Sequence, residues 1–380
     1  MKFKDYFDQA CAQEIAAGIK PFFPSFRGQD FVTAVAEQVG ELELKERVLL
    51  IAQELASRLP SHYPTALQII TDSLGSSIPE EGASSELAFQ AMPLARFVEE
   101  FGLDYPEQSL DALRKITPHS TGEWAIRPYL QAYPELTLAT VRDWVFSANH
   151  HIRRLASEGL RPRLPWASYY RPFMEDPSLL VDIISPLIND PSKYVRTSVA
   201  NNLNDISKDN PQQAIETANR WLQVSDSART LWIVKHGLRS LIKAGHPGAL
   251  ALCGAEPSDL LYISDLALDR SRLVIGQQAE LTLVVQNDSE QERTVIVDYQ
   301  VHYLRKRGQL IPKTFKLKQL TLGPGQRALL SKKHKFYPTS TRALDPGRHL
   351  LTASVNGLVS QAVEFELTPG PSHREESSLS

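Results

Sequence analysis

Residues 190–209 read Asp190-Pro191-Ser192-Lys193-Tyr194-Val195-Arg196-Thr197-Ser198-Val199-Ala200-Asn201-Asn202-Leu203-Asn204-Asp205-Ile206-Ser207-Lys208-Asp209. An acid, a proline and a serine precede a run in which Val195, Val199, Leu203 and Ile206 return every three or four positions. That is a helix start followed by a single apolar face. The step Val195-Arg196 repeats Ile152-Arg153 at a distance of 43 residues, inside the ~40–47 residue spacing of HEAT-like helical pairs. The same period extends from Leu42 to about Leu250, as in Val48, Leu49, Ala52, Leu55, Ala56 and Leu59. The expected architecture is a curved α-solenoid of degenerate repeats, interrupted by loops at 75–85 and 161–173.

Near residues 254–259 the period changes to that of strands. Short apolar runs at Leu266 and Leu268, Leu273-Val274-Ile275, Leu281-Thr282-Leu283-Val284-Val285, Val295-Ile296-Val297, Leu350-Leu351-Thr352 and 363–367 are separated by turn residues, among them Gly323-Pro324-Gly325 and Asp345-Pro346-Gly347. Short strands at this spacing suit an immunoglobulin-like β-sandwich. The expected fold class is multidomain, α then β: a HEAT-like α-solenoid over 1–255, an immunoglobulin-like sandwich over 256–368 and a disordered tail over 369–380.

Composition agrees. A chain of 380 residues exceeds the ~250–300 at which one core stops growing. Hydrophobic residues at 42% and charged residues at 22% are ordinary for a globular chain. Cys11 and Cys253 form no metal-ligand spacing and no disulfide framework. No apolar run approaches the ~18 residues that span a bilayer, and Met1-Lys2-Phe3-Lys4-Asp5-Tyr6 does not read as a secretory signal. A cytoplasmic protein without a membrane anchor is expected. The chain has no Walker phosphate loop and no G-x-G-x-x-G, G-x-S-x-G or H-E-x-x-H motif, so no cofactor, nucleotide or metal is expected. His150 and His151 would point about 100° apart on a helix, against joint ligation.

The net charge of −3 hides an asymmetry. Residues 1–120 hold 10 bases against 18 acids, 147–243 hold 13 against 9, and 244–380 hold 16 against 14. From Arg305 to Lys335 there are ten bases, beginning with Arg305, Lys306 and Arg307, and no acid. This stretch can neutralise a polyanion, or it is a solvated β-face. Between Glu158 and Glu175 there is again no acid, and the segment carries Arg161, Arg163, Trp166, Tyr169, Tyr170, Arg171 and Phe173, with Arg153 and Arg154 just upstream. Cations interleaved with aromatics supply phosphate contacts and stacking faces. The alternative is a loop whose aromatics pack onto the solenoid beneath arginine stems.

Three acids stand out by position. Turned at 100° per residue, the helix over 194–207 presents Tyr194, Ser198, Asn201 and Asp205 as a polar stripe beside its packing face, aimed at a groove. Asp205 would fall in the last turn, where the helix dipole disfavours a carboxylate by about 0.3–1 kcal/mol. It is either compensated there, or solvated, or a cap for the turn into Asp209-Asn210-Pro211. Glu158 repeats the oddity in Ala156-Ser157-Glu158-Gly159, which reads as a helix ending with glycine at C′. Glu123 in Ser120-Thr121-Gly122-Glu123 fits a capping box.

Three segments together are similar to the AlkC branch of the AlkC/AlkD-like DNA alkylation-repair glycosylases: residues 147–159 (Ser147-Ala148-Asn149-His150-His151-Ile152-Arg153-Arg154-Leu155-Ala156-Ser157-Glu158-Gly159), Arg161-Pro162-Arg163-Leu164-Pro165-Trp166, and 198–209 from Ser198 through Asp205 to Asp209. Gly122-Glu123-Trp124-Ala125-Ile126-Arg127-Pro128 fits the same pattern. The resemblance covers roughly residues 1–245, and the β tail matches, by organisation, the immunoglobulin-like domain that some members append.

The resemblance implies a monofunctional DNA glycosylase. It would release cationic N3-methylated bases from duplex DNA, 3-methyladenine above all with 3-methylcytosine as the further candidate, without flipping the base into a deep pocket. By position in the motifs Glu123, Glu158 and Asp205 would be the catalytic carboxylates, leaving open which one holds the water, and Trp166 would contact the lesion. Arg153, Arg154, Arg161, Arg163, Arg171, Arg305, Lys306 and Arg307 would bind DNA. The expected partner is double-stranded DNA carrying alkylated bases, bound by a monomer. A non-catalytic sensor of damaged DNA and a HEAT-repeat protein scaffold are the rival readings, distinguished by binding without base release and by no affinity for DNA.

Overall fold

A computed structural model of the chain describes residues 2–75, 91–305, 308–338 and 343–370. The expected tail therefore lies, from residue 371, outside the described residues, as do most of the loop at 75–85 and the candidate DNA-binding residues Lys306 and Arg307. Two compact units follow one another, Met1–Gly237 and Leu238–Ser380.

The first unit is helical throughout its described residues. Prolines mark helix starts: Pro106, Pro134 and Pro211 each take the first helical position, where a missing N–H breaks no bond and the fixed φ already suits a helix. Three helices, Phe3–Tyr6, Gln9–Ile19 and Gly28–Gln38, precede the periodic stretch read from the sequence. Helices of successive repeats stack side by side. His150–Glu158 packs along Lys193–Asp209, which packs along Ala228–Gly237. Ile152 and Val195, the apolar members of the repeated step, are both buried. This is the stacking of a HEAT-like α-solenoid, in which each helical pair buries its apolar stripe only against its neighbours.

The helix start at residue 190 works differently from the sequence expectation. Ser192 is the N-cap but its hydroxyl makes no capping bond, and Pro191 lies outside the helix. Asp190 instead accepts the Ser192 amide at 2.8 Å. The helix Lys193–Asp209 then runs a further half turn past the expected end at 207, so Asp205 sits one turn before its C-terminus rather than inside the last turn. At the other helix Gly159 has φ −63°, an ordinary helical value, so it is not a left-handed cap. Glycine is required there by packing, because a Cβ would lie 2.7 Å from Ile126 Cγ2. The expected loop at 161–173 ends at Tyr170, after which Arg171–Glu175 forms a short helix. Among the described residues no helix is long and apolar enough to cross a membrane.

The second unit opens with two short helices, Arg239–Lys243 and Pro247–Ala251, ahead of the composition change near 254. They belong with the β domain because Leu250, Cys253 and Ala255 share a buried cluster with Ile296. The strands are β1 (Leu261–Leu268), β2 (Arg272–Val274), β3 (Gln278–Asn287), β4 (Arg293–Leu304), β5 (Leu310–Leu322), β6 (Arg327–Lys335), β7 (Gly347–Val355), β8 (Leu358–Val359) and β9 (Val363–Thr368). They form two sheets, ordered β1-β3-β6 and β2-β9-β7-β4-β5, with β8 on β7. All pairings are antiparallel except β2 with β9. Alternate residues Ala279, Leu281, Leu283 and Val285 of β3 face Val295, Val297, Tyr299 and Val301 of β4 in one core, the arrangement of an immunoglobulin-like sandwich.

Candidate active site

The solenoid brings together acids that are far apart in sequence. Arg154 projects from the helix His150–Glu158 one turn before Glu158. Its Nη1 donates to Glu123 Oε2 at 2.8 Å and to Thr121 Oγ1 at 2.7 Å. Its Nη2 donates to Glu123 Oε1 at 3.2 Å and lies 3.6 Å from Glu158 Oε1. Arg161 continues the chain of charges: Nη1 donates to the same Glu158 oxygen at 2.8 Å and Nε to Asp205 Oδ2 at 2.9 Å. Lys208 Nζ closes it, 3.1 Å from Asp205 Oδ1. Glu123, Glu158 and Asp205, the three sequence-derived carboxylates, thus stand in one network joined by Arg154 and Arg161. Glu123 does not form the expected capping box: no helix begins at 124, the next starting at Arg127, and both carboxylate oxygens go to Arg154.

Burial makes this network costly to disturb. Asp205 has no exposed surface, and Glu158 and Glu123 keep 6% and 8%. Burial pushes the Glu158 carboxyl up, but the Arg154 and Arg161 charges and the hydrogen bonds from Arg161 and Ser198 outweigh it and hold the group below its ordinary value. Conversely burial lowers Arg154 and Arg161, and the facing carboxylates more than restore them. The helices are locked at this level by polar contacts: Ser198 Oγ donates to Ser157 Oγ at 2.9 Å, and Asn202 Nδ2 donates to the Ser157 carbonyl, also at 2.9 Å. Buried hydrogen-bonded pairs of this kind fix one register between two helices.

The arginines read as DNA-binding fall into different settings. Arg154 and Arg161 are spent on carboxylates, and Arg154 also lies over the Tyr194 ring at 4.9 Å. Arg153 is held by Asp190 at 2.6 and 3.0 Å and by the carbonyls of Ser147 and Ala148, both at 2.9 Å, which ties two repeats together. Arg163 makes a two-point pair with Asp209 at 2.8 and 2.5 Å and covers the Tyr169 ring. Arg171 is exposed, and Arg305, in the second unit, is half-buried with Nη1 donating to the Ala343 carbonyl at 3.2 Å. The remaining bases of that segment, Lys313, Lys316, Lys318, Arg327, Lys332, Lys333 and Lys335, are all exposed on β5 and β6.

Trp166 stands apart. Its φ is +62°, a left-handed conformation that a bulky side chain rarely adopts and that costs of order 1–3 kcal/mol. The side chain is nevertheless 62% exposed. The loop is held in this shape from outside: Lys45 donates to the Trp166 carbonyl, Trp124 Nε1 donates to the Pro165 carbonyl at 3.2 Å, and the two indoles meet at 5.9 Å between centroids. An exposed indole held in place at this cost offers a flat face to solvent on the same loop that carries Arg161. Sequence reasoning missed the supporting residues Lys45, Thr121 and Arg127 as site components, whereas the polar stripe read from the helix already holds Ser198 and Tyr194 beside Asp205. It also missed that Arg154 and Arg161 serve the acids, although the i, i+4 spacing of Arg154 to Glu158 and the i, i+3 spacing of Glu158 to Arg161 signal it.

Comparison with known proteins places this geometry in context. A family model described as DNA alkylation repair enzyme matches residues 120–239, a span that contains Glu123, Glu158, Trp166 and Asp205. A second, described as the C-terminal Ig-like domain of the uncharacterised protein YhaZ, matches 262–369. The uncharacterized protein YhaZ of Bacillus subtilis (strain 168) is 34% identical over 365 residues, 96% of this chain and 99% of the relative. Among solved structures, the Pseudomonas fluorescens alkylpurine DNA glycosylase AlkC bound to DNA containing an abasic site analog is 32% identical, with a TM-score of 0.88 over 96% of this chain and 99% of that one.

Proposed function

The chain belongs to the AlkC-like branch of the DNA alkylation repair enzymes, and from that premise we propose that it is a monofunctional DNA glycosylase that hydrolyses the N-glycosidic bond of cationic N3-alkylated bases in duplex DNA, without flipping them. The substrate class is 3-methyladenine, with 3-methylcytosine as the second candidate. The observation that carries this reading is the convergence of Glu123, Glu158 and Asp205 on one buried network joined by Arg154 and Arg161, with the exposed Trp166 indole on the loop that supplies Arg161.

The chemistry follows from the charge on the substrate. N3-methylation makes the base cationic, so the electron pair of the breaking C1′–N bond neutralises the departing ring and no general acid is required. Positive charge grows instead on the deoxyribose. A carboxylate held near C1′ stabilises that oxocarbenium-like sugar and orients the attacking water, whose proton it takes up as the new C–O bond forms. We assign these roles to Asp205 and Glu158, with Glu123 assisting and Trp166 packing against the lesion nucleotide; Asp205 is closed to solvent beneath Arg161 and the half-exposed Lys208, so its role requires Lys208 to release it when DNA binds. Arg154 and Arg161 are positioning residues: they keep the acids fixed and, at Glu158, ionised. Arg171 and the exposed lysines of the second unit contact phosphates and support a bent duplex, at a deformation cost of about 1–6 kcal/mol.

The test is base release. Methylated duplex incubated with the protein yields free 3-methyladenine, and Asp205→Asn and Glu158→Gln each lower single-turnover release by about a hundredfold or more, the scale of one lost electrostatic contact to a developing charge. Release undiminished in both variants overturns the catalytic assignment. Tight DNA binding with no release from the wild type selects a damage sensor instead.

A further inference from the structure

Tyr194 borders the carboxylate network, yet the proposed reaction gives it no part. It stands in the first turn of the helix Lys193–Asp209, on the polar stripe that also holds Ser198 and Asp205. The residue is 44% exposed, but its ring faces the Arg154 guanidinium, whose central carbon lies 4.9 Å from the ring centroid. The donors of that guanidinium go elsewhere: to Glu123 at 2.8 and 3.2 Å and to Thr121 at 2.7 Å, with Glu158 3.6 Å away. Acids thus meet its N–H groups and an aromatic ring closes one side, which leaves the Arg154 side chain 13% exposed. The ring is fixed in turn. His150 and His151 meet it at 6.3 and 5.9 Å between centroids, inclined by 67° and 72°. Asp190 accepts the Ser192 amide at 2.8 Å and pairs with Arg153 at 2.6 Å, so the helix start beside Tyr194 is tied to the helix that carries Arg154. Desolvation pushes the Tyr194 phenol above its ordinary value; Arg154 lowers it, and Glu123 and Glu158 raise it. The phenol therefore stays neutral near pH 7, and its ring face keeps the negative potential that attracts a cation.

We propose that Tyr194 is a further positioning residue of the carboxylate site: its ring closes one side of the Arg154 guanidinium to water and so keeps Arg154 locked on Glu123 and directed at Glu158. The inference rests on the glycosylase reading for the reaction in which these acids serve. A guanidinium is weakly hydrated and binds an aromatic face well, so the contact costs little desolvation. Excluding water from that side also strengthens the ion pairs that Arg154 makes at its donors, because their field is less screened. An aliphatic side chain fills part of the space but has no π face, and water then competes for the guanidinium. The active feature is the ring, not the hydroxyl. An exposed ring that served instead as a contact for DNA would act on affinity and leave the rate of the bound complex alone.

The experiment compares Tyr194→Phe, which keeps the ring, with Tyr194→Leu, which removes it, both in the full chain. Three quantities are read: single-turnover base release from methylated duplex at saturating protein, affinity for the same duplex by fluorescence anisotropy, and the guanidinium resonances of Arg154 in arginine-labelled protein by proton–nitrogen NMR. Tyr194→Leu is expected to lower release about tenfold or more while affinity stays within about twofold. It also moves the Arg154 resonances, which lose the ring current, and speeds their exchange with water. Tyr194→Phe restores release to within about threefold of the wild type and leaves the resonances in place. If Tyr194→Leu does not fold, Tyr194→Met takes its place. Release unchanged in Tyr194→Leu overturns the proposal. Equal loss in Tyr194→Phe overturns it in favour of the hydroxyl, and lost affinity with an unchanged saturated rate overturns it in favour of a DNA contact. Wild-type protein that releases no base refutes the glycosylase reading; the NMR arm still tests the ring, and Arg154 resonances unmoved in Tyr194→Leu overturn its contact with Arg154.

Discussion

Asp205 has no solvent exposure, and its two oxygens meet two different kinds of cation. Arg161 is itself buried and also holds Glu158, whereas the Lys208 side chain is 42% exposed. Removing one member of a buried pair leaves an uncompensated charge in a poorly solvated place and costs about 3–5 kcal/mol, while an exposed partner contributes about 0–1 kcal/mol. Arg161→Met is therefore expected to destabilise the first unit by about 3–5 kcal/mol in urea unfolding, and Lys208→Met by less than about 1 kcal/mol. Equal effects of the two would mean that Arg161 is not a keystone of the network. Glu158 fixes the pH behaviour. Its folded-state carboxyl lies below the ordinary range, so its pairing stabilises the fold above the unfolded value of about 4.3 and that contribution is lost as pH falls through the folded value. Its charge does not change between about pH 5.5 and 8.5. With no general acid in the proposed reaction, single-turnover release is expected to be flat across that window, and a rise of rate toward acid would reveal a proton donor the mechanism lacks. Asp205 and Glu158 were visible in the sequence as misplaced charges, and all three acids as positions in the motifs that carry the resemblance. Their counter-ions were not, because a helical wheel locates a side chain on its own helix but cannot show which loop arginine crosses to it from another repeat.

At the scale of elements, two helices and the loop between them do most of the positioning. His150–Glu158 and Lys193–Asp209 pack together and carry Glu158 and Asp205, while the intervening loop delivers Arg161 and Trp166. Gly159 is the junction. A Cβ there meets Ile126 Cγ2 at 2.7 Å and the Leu155 carbonyl at 3.0 Å, both too close. Gly159→Ala is expected to cost about 1–3 kcal/mol by overpacking, with partial recovery on adding Ile126→Leu, which keeps the volume but lacks the Cγ2 branch that the new methyl meets. A thermal scan of the single and double variants measures this; no recovery would place the strain in the backbone instead. The helical repeats were legible because their apolar stripes recur at a constant period over many turns. Strands β5 and β6 were not read from the sequence, since Lys313, Lys316 and Lys318 break the apolar run of the one and Lys332 and Lys333 that of the other. Both are edge strands. Lysines on an edge discourage pairing with a second chain, and the feature that hid these strands is the one that protects them.

For the molecule as a whole, charge is the property that reaches furthest. The sum of −3 would not suggest affinity for a polyanion, yet the bases of the β domain are concentrated on β5 and β6, where all seven from Lys313 to Lys335 are exposed. Phosphate contacts release condensed counter-ions, so each contact contributes close to one unit to the slope of log affinity against log salt. If these lysines grip the duplex as proposed, replacing Lys313, Lys316, Lys332 and Lys333 together by Gln lowers affinity for undamaged and methylated duplex alike and flattens the salt slope by about 2–4 units. The intrinsic rate of base release at saturating protein should hold within about threefold, because the substituted side chains lie in a different unit from the carboxylates. Fluorescence anisotropy over a range of potassium chloride concentrations reads the slope, and single-turnover release reads the rate. A slope equal to that of the wild type would mean that the cationic face of the β domain is solvated and takes no part in holding DNA, leaving Arg171 and the solenoid to supply the phosphate contacts.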